Sequence, residues 1–104
     1  MRDVTVDQLA TALDEGANVI DVREPMEWAG GHISGTTLLP MSQLGARVGE
    51  LDRSKPLYVV CRSGNRSGAM TDALRGMGFD AWNVHGGVIA RQRSGRPLVP
   101  GSAA

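Results

Sequence analysis

The chain contains a single cysteine, Cys61, within the segment Cys61-Arg62-Ser63-Gly64-Asn65-Arg66-Ser67. These residue types at this spacing describe an anion-binding turn. Successive backbone N–H groups in such a turn converge on one point. A helix beginning in the same segment adds unsatisfied N–H groups and the positive end of its dipole. Gly64 allows backbone geometry that other residues resist, and Arg62 and Arg66 add fixed positive charge. A thiol in that field ionises more readily than a free one. Cys61 is therefore expected to be a thiolate, and a nucleophile, near neutral pH. A lone cysteine behind an apolar strand is ordinarily an inert small hydrophobe. The polar, doubly basic, glycine-containing surroundings point here to reactivity instead. Spacing also limits what the loop can hold. Phosphatases built on a cysteine place five residues before the arginine that cradles phosphate. Four residues separate Cys61 from Arg66, a cradle sized for one sulfur atom on the cysteine rather than a phosphoryl group.

The flanking elements must hold this loop. Leu57-Tyr58-Val59-Val60 is a short apolar strand preceded by Pro56. After the loop, Met70, Ala73, Leu74 and Met77 recur at helical spacing, and Gly78-Phe79 suits a left-handed helix end with its apolar contact. Upstream, Thr5-Val6-Asp7-Gln8 suits a capping box for a helix carrying Leu9, Ala12 and Leu13 and ending at Gly16. Residues 17–22 read as a buried strand, 26–30 as one helical turn and 36–39 as another strand. Ser42 is expected to cap a helix bearing Leu44, Val48 and Leu51 on one face. Residues 81–84 form the last predicted strand, and a short helix spans 88–92. Alternating strands and helices with buried apolar strands predict an α/β domain with a mainly parallel sheet. Ligands in such folds sit at the carboxyl ends of strands, which is where Cys61 falls.

These residues together resemble a known family. The segment from Cys61 to Ser67 is similar to the active-site loop of a single-domain rhodanese, a sulfurtransferase. Asp21-Val22-Arg23-Glu24-Pro25, Glu27-Trp28 and Gly31-His32-Ile33-Ser34-Gly35 resemble that family's N-terminal signature, and Gly78-Phe79-Asp80 with Gly86-Gly87 resembles its C-terminal part. The resemblance implies a rhodanese-like domain over residues 4–99, with about five mainly parallel strands flanked by helices and a loose tail over 100–104. It implies sulfur transfer from a donor such as thiosulfate to cyanide or a thiol, through a persulfide on Cys61. The loop amides from Arg62 to Ser67 would stabilise the outer sulfur, and Arg62 and Arg66 would attract the anionic donor. No metal or organic cofactor is implied. A sulfur-accepting protein is a further candidate partner. A non-catalytic partner-binding module and a phosphatase or arsenate reductase on the same fold are the competing readings. The retained cysteine disfavours the first, and the short loop disfavours the second.

Other residues are weighed against structural roles. Asp21 and Arg23 are candidate supporting residues, read as a hydrogen-bonded pair beside the loop rather than substrate contacts. His32 is read as a structural hydrogen-bonding residue rather than half of a Cys-His dyad, and His85 as packing or surface. Trp28 and Trp82 are read as packing residues, and Met26, Met41, Met70 and Met77 as core filling. Arg91 stands where the family often has Trp, so either the pocket rim is altered or Arg91, Arg93 and Arg96 form a solvated helix end. Gly76-Met77-Gly78-Phe79-Asp80-Ala81 matches a dinucleotide-binding pattern, but it follows a helix and precedes a strand, the reverse of what that fold requires. Asn65-Arg66-Ser67 is a glycosylation sequon unaccompanied by a secretion signal.

At 104 residues the chain suits one domain. Eleven basic and eleven acidic residues cancel, and only four residues are aromatic: Trp28, Tyr58, Phe79 and Trp82. Charge balance and scarce aromatics argue against a nucleic-acid partner. No apolar run is long enough to span a membrane. A lone cysteine permits no internal disulfide, which suits the reducing cytoplasm; nothing in the sequence fixes the oligomeric state, and a monomer is the expectation.

Overall fold

The structure is a computed structural model that describes residues 2–101. Ten elements follow in order: β1 (Asp3–Val4), α1 (Val6–Asp14), β2 (Asn18–Asp21), α2 (Pro25–Ala29), β3 (Thr37–Leu38), α3 (Leu44–Arg47), β4 (Leu57–Val60), α4 (Asn65–Gly76), β5 (Ala81–Val84) and α5 (Gly87–Arg93). Short 3-10 turns flank α3. The five strands form one sheet in the order β1-β5-β4-β2-β3, and every pairing is parallel. Five parallel strands flanked by helices match the α/β sheet expected from the sequence. Among the described residues no helix is long and apolar enough to cross a membrane.

The strand order positions the site. From β2 the chain moves outward to β3, and from β4 it moves the opposite way to β5. Connections that diverge in this way leave a crevice between the carboxyl ends of the two strands. Asp21 pairs with Val60 in register at that point, so Cys61 and the segment from Asp21 to Arg23 meet across it.

Alternation along β4 divides the core into two layers. Leu57, Val59 and Cys61 pack on one face with Ile20, Leu44, Leu74 and Phe79. Val60 packs on the other face with Leu9, Val19, Ile33, Val84 and Val88. Such a strand, apolar on both faces, belongs in the middle of a parallel sheet. The capping box at α1 is present: the Gln8 N–H donates to Thr5 Oγ1 and the Thr5 N–H to Gln8 Oε1. The end of α4 also follows the sequence, with the Gly78 N–H donating to Arg75 O and the Phe79 N–H to Leu74 O.

Four expectations are corrected. Strand β1, two residues long, escaped the sequence reading because it is too short for periodicity to register. The helix expected after Ser42 is a 3-10 turn over Met41–Gln43, one turn of α-helix and a second 3-10 turn over Val48–Glu50, and Ser42 lies inside the first turn rather than at a cap. The buried face of α4 is Ser67, Gly68, Thr71 and Leu74, not the stripe through Ala73 and Met77. Small and polar side chains hold that face against β5, so hydrophobicity marked the wrong flank. Met26, Met41 and Met77 are 88%, 39% and 43% exposed and do not fill the core.

The loose end expected over 100–104 lies largely outside the described residues. Where it is described, the chain is held: Leu98 packs against the core, Val99 bridges to His32 and the Gly101 N–H donates to Ala29 O.

The orientation of α4 predicts a contrast in stability. Leu74→Ala, at a fully buried site, should cost about 2–5 kcal/mol, while Met77→Ala should stay within about 0.5 kcal/mol of the native protein. Urea denaturation of the two variants measures this, and similar losses would place the buried face elsewhere.

Candidate active site

The site is built from three chain segments. Cys61 directly follows β4, and Arg62 to Gly64 form a tight turn into α4. Gly64 adopts a φ of 101°, which side-chain-bearing residues rarely accept. The helix begins at Asn65, so Asn65, Arg66 and Ser67 are its first turn rather than loop. The third segment is the start of α5. There the Val88 N–H donates to Cys61 O at 2.9 Å and the Ile89 N–H to Arg62 O at 3.0 Å. Gly87 makes that approach feasible. Its φ is 57°, and a Cβ at that position would lie 2.7 Å from Arg62 O.

With the loop carbonyls engaged by α5, the loop amides face inward. The Gly64 N–H donates to Cys61 Sγ at 3.1 Å, and Ser67 Oγ lies 3.2 Å from the sulfur. Burial pushes the Cys61 thiol up, but the Ser67 side chain and the amides of Ser67, Gly64 and Ser63 outweigh it. The net effect holds the thiol below its ordinary range. Hydrogen bonds, not the arginine charges, dominate that lowering. Cys61 is only 1% exposed, so its sulfur lies at the floor of the cradle rather than at an open rim. Two clefts flank the turn. One, of about 310 Å³, contains Arg62, Met26 and Ile89. The other, of about 540 Å³, contains Ser63, Gly64, Asn83 and His85.

The two arginines separate. Both terminal nitrogens of Arg66 donate to Glu27 of α2, at 2.7 and 2.8 Å. The hydrogen-bonded Arg66 guanidinium lowers the Glu27 carboxyl to about 2, against a smaller opposing effect of burial. Arg66 therefore ties α2 to α4 through its ion pair with Glu27. Arg62 is exposed and forms no ion pair among the described residues, so it remains the available cation on the turn.

Asp21 and Arg23 form a buried ion pair. Arg23 Nη2 lies 2.8 Å from Asp21 Oδ2, and the Arg23 backbone N–H also donates to the Asp21 carboxylate. Arg23 donates further to the Gly31 carbonyl. The pair shapes the chain beside the cradle, and Arg23 contributes one edge of the 310 Å³ cleft. His32 stacks on Trp28 at 3.6 Å, with Nδ1 3.1 Å from the Trp28 carbonyl. His85 is exposed just after β5, 3.8 Å from Asp3 Oδ2, and lines the 540 Å³ cleft. Arg91 is not at the cradle: its Nε–H donates to Pro97 O, and it lines a separate cleft with Leu13 and Arg96.

Glu27 and Asn83 were not assigned roles at the site from sequence. Glu27 had a signal, an acidic residue beside Trp28 within the segment that resembles the family's N-terminal signature. Asn83 gave a subtler one, a buried polar residue within an otherwise apolar strand.

The family model for the rhodanese-like domain matches residues 5–92. The Bacillus subtilis (strain 168) protein YqhL is 44% identical over 72 residues, which cover 68% of this chain and 57% of that protein. The thiosulfate sulfurtransferase GlpE of Pseudomonas entomophila is 34% identical over 87 residues, covering 83% of this chain and 80% of GlpE. Matches to two further curated relatives cover 36% and 46% of their lengths, the first being named a putative sulfur carrier protein. The chain thus spans only part of several relatives. A crystal structure of a rhodanese-related protein from Thermoplasma volcanium superposes with a TM-score of 0.88 at 32% identity, covering 95% of this chain and 98% of that one.

The depressed Glu27 carboxyl gives a pH signature. A carboxylate favoured in the folded state contributes its full stability above the unfolded carboxylate range and loses it as pH falls through the folded value. The Glu27–Arg66 contribution should therefore fade as pH falls from the ordinary glutamate range to about 2. In urea titrations across that window, Glu27→Gln should lose less stability on acidification than the native chain. Equal acid sensitivity would show that the pair does not hold α2 to α4.

Proposed function

Since the chain belongs to the rhodanese-like domain family, we propose that it is a sulfurtransferase whose Cys61 carries sulfur as a persulfide. The Cys61 thiolate attacks the outer sulfur of a donor such as thiosulfate. The donor's sulfur–sulfur bond breaks, sulfite leaves with the bonding electron pair, and a new sulfur–sulfur bond forms on Cys61. Cyanide or a thiol then attacks the outer persulfide sulfur, and Cys61 returns as thiolate. This is thiolate exchange through a covalent intermediate.

One observation carries the reading: the Gly64 N–H, 3.1 Å from Cys61 Sγ, heads a set of inward-facing amides around a thiol held below its ordinary range. Fixed N–H donors of this kind stabilise developing negative charge without reorganising during the reaction. Arg62 draws the anionic donor towards the turn. Asp21 and Arg23 brace the neighbouring wall. A phosphatase reading is weaker, because a phosphate would need an arginine directed into the loop and Arg66 is held by Glu27. A protein thiol as acceptor suits the likeness to the putative sulfur carrier. A free nucleophilic thiol also suits the reducing cytoplasm.

Intact mass measurement tests the cycle. Incubation with thiosulfate should add the mass of one sulfur atom, and cyanide should remove it with formation of thiocyanate. Cys61→Ser should abolish both steps while leaving the fold intact, and sulfur transfer persisting in that variant would exclude the mechanism. An unreactive native chain would favour a non-catalytic module. Arg62→Ala should raise KM for thiosulfate several-fold with little change in kcat. An unchanged KM would remove Arg62 from donor capture.

A further inference from the structure

The hydrogen bonds beneath Cys61 extend beyond the cradle. Ser67 Oγ lies 3.2 Å from Cys61 Sγ and 2.5 Å from Asn83 Oδ1. A hydroxyl carries one hydrogen, so Ser67 donates to Asn83 or to the sulfur, not to both. Asn83 Nδ2 donates in turn to Asp3 Oδ1 at 3.2 Å, and the two residues are register partners across β5 and β1. A carboxylate oxygen only accepts. Asp3 therefore holds the amide with Nδ2 outward and Oδ1 toward Ser67. Ser67 is fully buried and Asn83 nearly so, at the edge of the 540 Å³ cleft.

The chain is complete while Cys61 is protonated. With the Ser67 hydrogen on Asn83 Oδ1, the shorter of its two contacts, Ser67 Oγ is free to accept from the S–H, and the Asn83 amide donates to Asp3. Loss of the thiol proton breaks this order. Ser67 must turn its hydrogen to the sulfur and abandon buried Asn83 Oδ1, or keep it there and present a lone pair to a charged sulfur. Either way Asn83 competes with the sulfur for the hydrogen whose donation favours the thiolate.

We propose that Asp3, acting through Asn83, is a positioning residue that commits the Ser67 hydroxyl hydrogen away from Cys61 and so restrains the charging that the loop amides favour. The functional meaning of this restraint rests on Cys61 being the reacting sulfur. Other charged groups around the sulfur are engaged or remote from the relay. Asp21 and Arg23 pair at the end of β2, Arg66 of α4 pairs with Glu27 of α2, and Arg62 on the turn faces solvent. Beside Asp3, Asp72 of α4 lines the same open cleft, and His85 approaches Asp3 Oδ2 at 3.8 Å with its ring exposed.

The test is a pH titration of thiolate ultraviolet absorbance on the whole chain, with circular dichroism to verify folding. It reads the charge on Cys61 whether or not the protein transfers sulfur, so failure here and failure of the sulfurtransferase reading are distinguishable. Asn83→Leu removes the acceptor and leaves the Asp3 charge in place. Its midpoint should fall, giving about threefold or more thiolate at a fixed pH below the native midpoint. Asp3→Asn, at a side chain 31% exposed, frees the Asn83 amide to take either orientation and should lower the midpoint too. In a Ser67→Ala background the same Asp3→Asn step should produce a much smaller shift. The Asp3 comparison stands by itself where Asn83→Leu does not fold. An unchanged or raised midpoint in folded Asn83→Leu overturns the proposal. So does an Asp3→Asn shift of equal size with and without Ser67, which would leave simple charge repulsion as its cause.

Discussion

Two backbone hydrogen bonds govern the geometry of this site: Val88 N–H to Cys61 O and Ile89 N–H to Arg62 O. They occupy the carbonyls on the outer side of the turn with the first turn of α5. A peptide plane is rigid, so fixing a carbonyl fixes the direction of the amide that shares its plane. The two bonds thus fix the amides of Arg62 and Ser63, and the next amide, that of Gly64, reaches the sulfur where the chain turns at a φ of 101°. Gly87 is the residue that permits the two bonds, because a side chain there would meet the loop backbone.

From this constraint follows the electrostatic character of Cys61. A thiol surrounded by core hydrophobes is pushed toward its neutral form. The Ser67 side chain, with fixed donors at the Ser67, Gly64 and Ser63 amides, reverses that tendency. Distributed dipoles fixed by the fold can do this without mobile charge, and the fold uses its two nearby arginines for other ends. Arg66 closes a bridge to Glu27 that locks α2 against the start of α4. Arg62 stays outward, where a charge acts on an approaching anion more than on the buried sulfur.

The sheet order and the site are mechanically linked. Cys61 ends the central strand, and its neighbour β2 delivers the buried Asp21–Arg23 pair to the adjacent wall. Arg23 reaches from that pair to the carbonyl of Gly31, and His32 stacks on Trp28 while its backbone bridges to Val99. The segment after α2 is thereby tied both to the sheet and to the end of the described chain. The wall beside the cradle is assembled from residues far apart in sequence, and each is held by a polar partner rather than by apolar packing alone.

Local signals in the sequence determined much of this. The apolar run of β4, the capping box at Thr5 and the left-handed turn at Gly78 are properties of a few neighbouring residues. Tertiary structure decided the pairings. Sequence spacing could not direct Arg66 toward Glu27, 39 residues away, nor carry Arg91 to Pro97 and away from the cradle. It also misplaced the buried face of α4. That face packs against β5 through Ser67, Gly68 and Thr71, and small polar residues satisfied by neighbours leave no hydrophobic periodicity to read. Backbone preference acts over a few residues and is written locally; the partner of a long charged side chain depends on which elements the sheet order brings together.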